Sequence, residues 1–268
     1  LIGASIGLAV RERKLAKQVI GIGRTISNLT IAQERGAVDL FTTNLAEGVQ
    51  QAQLTIICTP IETIAEQAIA ISQASPVGAL ITDAGSTKAG ILTELGERLA
   101  AGTTFIGSHP LAGSEKTGAE FARADLLVNR VVVVTPTPAT PPDKLAAIRE
   151  FWEALGARVV EMSPEQHDAA VAATSHLPHM VSTALAVATP LEFLELVAGG
   201  WLDTTRIAGG DAELWRQILL ANRDHSLRAL DKFEKVLSGL RTALQNRDGD
   251  ALRQLLEAGK QTRDAVGS

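Results

Sequence analysis

1-LIGASIGLAVRERK-14 has the spacing of a helix: Leu, Ile, Ala and Val supply an apolar stripe, and Arg11, Arg13 and Lys14 close it. Gly3 stands where a helix that follows a phosphate-binding turn carries the last glycine of G-x-G-x-x-G, the position at which helix and sheet pack closely. Read this way, Leu1, Ile2 and Gly3 border a nucleotide-binding turn. A strand and two further glycines, about ten residues in all, are then expected ahead of Leu1. The same motif places a discriminating residue roughly 20 positions further on, an acid for the ribose of NAD or a base for the 2′-phosphate of NADP. Here the apolar run 19-VIGI-22 gives way to 23-GRTISN-28, with Arg24 and no acid beside it. Arg24, Thr25 and Ser27 can together hold a phosphate through charge-assisted hydrogen bonds, so NADP is expected over NAD.

The sequence beyond this point repeats the strand-then-helix rhythm. Apolar runs at Val19–Ile22, Leu54–Cys58, Ala79–Thr82, Phe105–Gly107 and Val131–Thr135 end in turn residues. Helical spacing follows several of them, as in Ile61, Ile64, Ala65, Ala68, Ile69 and Ile71. Such alternation implies a parallel sheet covered on both faces. Ligands of such sheets bind at the carboxyl ends of the strands, which adds Thr59 and Pro60, after the run 54-LTIIC-58, to the expected cofactor contacts. A proline-rich joint, 135-TPTPATPPD-143, leads to a helix at Lys144–Leu155 and a last strand at Arg158–Glu161. From 164 onward the pattern is helical, with Leu227, Leu230, Phe233, Leu237, Leu240 and Leu244 on one stripe. Two domains are expected: 1–163, an α/β nucleotide-binding domain, and 164–268, an all-α domain whose long stripe forms a homodimer.

Composition narrows the function. Apolar residues make up 46% of 268, enough for a substantial core, and the net charge of −5 argues against a nucleic-acid binder. The single cysteine, Cys58, permits no internal disulfide, and no apolar run is long enough to span a bilayer, so a cytoplasmic protein is expected. Tyrosine is absent, which removes phenolic acids from the candidates.

Of the five histidines, His225 lies among charges, and His167, in 163-SPEQHDAA-170, falls in the opening turn of a helix, where packing or capping is the expected role. His176 and His179 in 175-SHLPH-179 are three apart, yet Pro178 stands between them and no third ligand follows at a zinc spacing, so no metal is expected. No G-x-S-x-G elbow is present. His109 in 105-FIGSHPLAGSEKTGAE-120 is placed just past a strand, at the sheet edge where ligands of this architecture bind. Ser86 in 82-TDAGSTKAG-90 shares that edge, serving as helix N-cap, ligand contact or both.

Taken together, D-A-G-S-T-K, G-S-H-P-L-A-G-S-E, S-H-L-P-H and 203-DTTRIAGGDAELWRQI-218 resemble the prephenate/arogenate dehydrogenase family of tyrosine biosynthesis, in an order that covers nearly the whole chain. The resemblance implies a Rossmann-like doubly wound domain followed by a helical dimerisation domain. It implies oxidative decarboxylation of prephenate, or of arogenate, with hydride passing to NAD(P)+. It implies that His109 accepts the proton of the substrate's ring hydroxyl and that Ser86 orients this histidine. By the same resemblance Arg206 holds a substrate carboxylate, while His179, Ser114, Glu115, Asp203 and Trp215 line or gate the pocket. Leu202 departs from relatives that carry a lysine beside the aspartate. Histidine suits the proton, having a pKa near neutrality, and a planar guanidinium suits a carboxylate. A non-catalytic NADP-binding regulator is the alternative of another class; an intact His/Ser/Arg set speaks against it.

Overall fold

The computed structural model describes residues 1–112, 116 and 118–267, so Ser114 and Glu115 lie outside the described residues. Two compact bodies are present, Leu1–Asn222 and Arg223–Ser268. The first opens with α1 (Ile2–Glu12), whose Ile6, Ala9 and Val10 are buried one turn apart. Then follow β1 (Ile20–Ile22), α2 (Ile26–Glu34), β2 (Leu40–Thr42), α3 (Leu45–Val49), β3 (Leu54–Ile57), α4 (Ile64–Ala74), β4 (Leu80–Asp83), α5 (Ala89–Leu95), β5 (Thr104–Pro110), β6 (Val131–Thr135), α6 (Pro142–Ala154) and β7 (Arg158–Glu161).

The strands form two pieces of sheet. β1 pairs with β2 in parallel; the other piece runs β3-β4-β5-β6-β7, parallel throughout except between β5 and β6. α1 packs on both pieces: Ile6, Ala9 and Val10 join a cluster with Leu54 and Ile56, and Ala4 and Leu8 pack beside Val38 and Phe41. α1 and α6 cover one face, with Trp152 fully buried; α4 and α5 cover the other, around Ile64, Ile81 and Leu95. This is a doubly wound arrangement.

Three details depart from the reading of the sequence. β2 was not foreseen, being only three residues long and half-buried. β5 extends beyond Gly107 to Pro110, so His109 lies within a strand, opposite Val133, rather than past its end. The partner of that extension is antiparallel, where a uniformly parallel sheet was expected. Gly107 permits the close crossing there, since a Cβ would sit 2.5 Å from Thr135 Oγ1.

After β7 the chain is helical. α7 (Pro164–Val171) begins with a reciprocal cap between Ser163 and Gln166. A π-helical turn, Ala172–His176, runs directly into α8 (Leu177–Ala188), which carries Pro178 in its first turn. α9 (Gly199–Thr205), a 3₁₀ turn at Arg206–Gly209 and α10 (Ala212–Ala221) complete the first body. The second consists of α11 (Arg223–Gln245) and α12 (Gly249–Asp264), the latter capped by Asp248. Among the described residues no helix is long and apolar enough to cross a membrane.

Candidate active site

The carboxyl ends of β4 and β5 gather the polar groups of the sheet. Asp83, fully buried at the end of β4, accepts from the amides of Gly85 (2.8 Å) and Ser108 (3.0 Å). Its carboxylate is ion-paired with Lys88, whose Nζ also donates to the Ser108 carbonyl at 2.9 Å. Burial pulls the Lys88 ammonium below its ordinary pKa, against Asp83, which favours the charge. These bonds tie the loop 84–88 to β5 immediately beside His109. Trp152 Nε1 donates to the Ser108 hydroxyl at 3.0 Å, and that hydroxyl is 2.8 Å from the Thr82 hydroxyl, which donates to the Ile106 carbonyl at 2.7 Å.

His109 is half-buried, with Nδ1 2.8 Å from His167 Nε2. The other nitrogen of His167 is 2.7 Å from Asp168 Oδ1. Asp168 also accepts from the amides of Lys88 (2.8 Å) and Ala89 (2.9 Å), and thereby caps α5 from α7. Ser86 therefore does not act as the N-cap of α5: it lies in the loop after β4, and its hydroxyl has no hydrogen-bond partner among the described residues. Burial, together with the charges of His167, Lys88 and His176, holds the His109 imidazole well below its ordinary pKa. Burial pushes the Asp168 carboxyl up, but the hydrogen bonds from His167, Ala89 and Lys88 outweigh it and leave the group below its usual range.

A second cluster continues from the same network. Buried Asn222 donates through Nδ2 to the Asp168 carbonyl at 2.7 Å, and that nitrogen is 3.2 Å from His176 Nδ1. Desolvation takes the His176 pKa down to about 4. His176 meets Trp215 edge-on, and His179 stacks on the same indole with ring centroids 3.6 Å apart. Gly210 lies against both rings, for a Cβ there would be 2.7 Å from Trp215 Nε1 and 3.3 Å from His179 Cε1. His179 Nδ1 is buried without a partner among the described residues, and burial lowers the pKa of its ring. An orphaned polar atom in such a place is the expected mark of a ligand contact.

Arg206 opens the 3₁₀ turn that precedes Gly210. That turn is pinned to α8 by Ser182 Oγ, which accepts from Ala208 N at 3.1 Å one turn beyond His179. Arg206 is exposed and has no carboxylate partner among the described residues; the exposed Asp203, on α9, does not pair with it. The sequence reading assigned His167 to packing or capping and passed over Asp168, Lys88 and Asn222. The adjacent His-Asp pair was the only local signal, since the partners of Asp168 lie about 80 and 54 positions away.

The residues assigned to a dinucleotide are consistent with one. At Gly3 a Cβ would stand 3.2 Å from Cys58 Cβ, so the start of α1 presses on the end of β3 as the last glycine of the motif requires. Leu1 is the N-cap of α1 and Thr25 that of α2, and neither side chain is used in capping. Arg24 is exposed at the end of β1 with no carboxylate partner among the described residues, and Thr59 and Pro60 are exposed beyond β3. Among the described residues no group of three or more His, Cys, Asp or Glu side chains is arranged to hold a metal.

Comparison with known proteins agrees with this architecture. The family pattern described as "Prephenate dehydrogenase, nucleotide-binding domain" matches residues 6–161, and "Prephenate dehydrogenase, dimerization domain" matches 163–258. Prephenate dehydrogenase of Bacillus subtilis is 32% identical over 99% of this chain and 74% of its own. The crystal structure of Aquifex aeolicus prephenate dehydrogenase in complex with hydroxyphenyl propionate and NAD+ superposes with a TM-score of 0.90 at 30% identity, over 99% of this chain and 94% of that one. Synechocystis arogenate dehydrogenase gives a TM-score of 0.86 at 34% identity, over 99% and 96%. With both family patterns spanning a chain that carries a nucleotide-binding sheet and a buried histidine network at its edge, the protein belongs to the prephenate dehydrogenase family.

Proposed function

We propose that this enzyme oxidatively decarboxylates prephenate to 4-hydroxyphenylpyruvate, with His109 as the proton acceptor. The observation that carries the reading is a histidine kept uncharged by burial, anchored through Nδ1 at the carboxyl edge of the sheet. A base must be unprotonated to act, and the depressed pKa keeps His109 so at neutral pH. Bound NAD(P)+ supplies the acceptor for the carbinol hydrogen, which leaves as hydride. His109 takes the hydroxyl proton as the ring carbon is oxidised. Loss of the ring carboxylate as CO₂ leaves its electron pair in the ring, which becomes aromatic, and the imidazolium returns the proton to the phenolate oxygen. No net proton is consumed.

Arg206, without a carboxylate partner among the described residues, holds a substrate carboxylate in bidentate fashion. Ser86 contacts the same hydroxyl as His109 or steadies the ring against it. Trp215 and His179 form the wall against the side chain, with Asp203, Ser114 and Glu115 at the pocket rim. Arg24 and Thr25 favour NADP over NAD through the 2′-phosphate; Leu1, Ile2, Gly3, Thr59 and Pro60 border the rest of the dinucleotide. The division of labour is a nucleotide-binding part, 1–163, and a helical part, 164–268, through which two copies associate in the cytoplasm. A second reading, arogenate as substrate, is favoured by the likeness to the Synechocystis arogenate dehydrogenase. Initial rates of nicotinamide reduction with both substrates and both cofactors decide among these. Prephenate with NADP+ is expected to give the highest kcat/KM, and no turnover of either substrate would overturn the proposal.

A further inference from the structure

We infer that His167 and Asp168 on α7 are a positioning pair that fixes which nitrogen of His109 carries hydrogen, leaving His109 Nε2 bare for the substrate hydroxyl. The inference rests on the reading of His109 as proton acceptor, but it concerns a separate property, the tautomer of that ring.

The argument begins at the carboxylate. Asp168 Oδ1 takes the amide of Lys88 at 2.8 Å and Oδ2 takes that of Ala89 at 2.9 Å. Both amides donate to it, and these bonds together with that from His167 outweigh burial and hold its pKa below the usual range, so the group is a carboxylate. The third neighbour, His167 Nδ1 at 2.7 Å, must then bear hydrogen. A neutral His167 presents Nε2 as a lone pair, and the 2.8 Å contact to His109 is satisfied only if His109 Nδ1 donates. The hydrogen of a neutral His109 being on Nδ1, its Nε2 is the basic nitrogen. When that nitrogen takes a proton, the positive ring stays hydrogen-bonded to His167, with the Asp168 carboxylate behind it.

The pair is itself rigidly held. His167 and Asp168 are buried, at 0% and 2% exposure. The Ser163–Gln166 cap fixes the start of α7, and Asn222 Nδ2 grips the Asp168 carbonyl at 2.7 Å. Since Asp168 also caps α5, one side chain ties the base on β5 to the end of the loop that carries Ser86.

The test compares the enzyme with Asp168→Asn, His167→Phe and His167→Gln, reading imidazole ¹⁵N shifts of His109 by NMR and steady-state kinetics. The expected wild-type ring is protonated on Nδ1. Asp168→Asn, whose amide can donate to His167 Nδ1 and reverse the chain, is expected to lose that preference and about 10²-fold or more in kcat, with KM changed less than about threefold. His167→Phe is expected to fall as far, while His167→Gln, which keeps an acceptor near the position of Nε2, regains about tenfold or more of the loss. A wild-type His109 protonated on Nε2, or a kcat for Asp168→Asn within about threefold of wild type, overturns the inference. Should Asp168→Asn not fold, the wild-type tautomer and the Phe/Gln pair decide. Absence of turnover with the Nδ1–H tautomer present counts against the substrate reading alone; turnover with the opposite tautomer counts against the positioning pair alone.

Discussion

The proposed chemistry turns on keeping one imidazole uncharged and still. Burial provides the first condition for His109, and a hydrogen bond to His167 provides the second. Because the folded-state pKa of His109 lies below the ordinary value, kcat/KM is expected to be level across neutral pH. It should decline only as acidification carries His109 into its imidazolium form, at pH values below about 6.5. A pH–rate profile that already falls through pH 7.5 contradicts this. The linkage to stability has the same sign for His176. Its pKa is about 4 in the fold and about 6.5 when unfolded, so the unfolded chain binds the proton first. Stability present above pH 6.5 is lost as pH falls toward 4, by roughly 3 kcal/mol from this buried group. Denaturant midpoints from pH 7 to 4 check the loss, and His176→Asn should flatten it. Arg206→Gln is expected to raise KM for the substrate about tenfold or more while the denaturant midpoint stays put, since the guanidinium serves no ion pair among the described residues. An unchanged KM removes Arg206 from the substrate contacts.

Among helices and strands, glycine positions report how closely the parts meet. A Cβ on Gly7 of α1 would come within 2.2 Å of the Ala37 carbonyl oxygen, a backbone atom that cannot swing away. Gly7→Ala is therefore expected to cost about 1–3 kcal/mol by overpacking. A denaturant midpoint equal to that of the parent would show that α1 does not seat there. The reading of α1 from 1-LIGASIGLAVRERK-14 held because its apolar spacing is local, and the helix spans Ile2–Glu12. The full length of β5 was less legible: the apolar run stops at Gly107, and only pairing with β6, more than 20 positions later, carries the strand on to Pro110. His167 escaped for a related reason. Its segment announced a helix start, which is correct, but the contacts at Asp168 come from α5 and Asn222, far away in sequence.

At the level of the assembled enzyme, the α/β-then-α order was readable because strand and helix periods differ, and His109, Ser86, His179 and Trp215 were nameable because they sit in recognisable motifs. The histidine–aspartate network that links the first of these toward the last two was not, since it exists only in the fold. Of the helical stripe foreseen at the C-terminus, Leu227, Leu237 and Leu244 are 45%, 46% and 63% exposed, and Leu256 on α12 is 62% exposed. Apolar exposure on this scale is characteristic of a surface that associates. A Leu237→Glu/Leu244→Glu double variant is expected to sediment as a monomer where the parent sediments as a dimer, and two equal sedimentation coefficients would place the interface elsewhere.

All of these effects converge on proton acceptance by His109, which is tested by the turnover of His109→Asn with prephenate at saturating NADP+, alongside titration of the cofactor. The account predicts kcat lower by about 10²–10⁴ with cofactor affinity within about threefold of the parent. A variant that turns over within about threefold of the parent would contradict it.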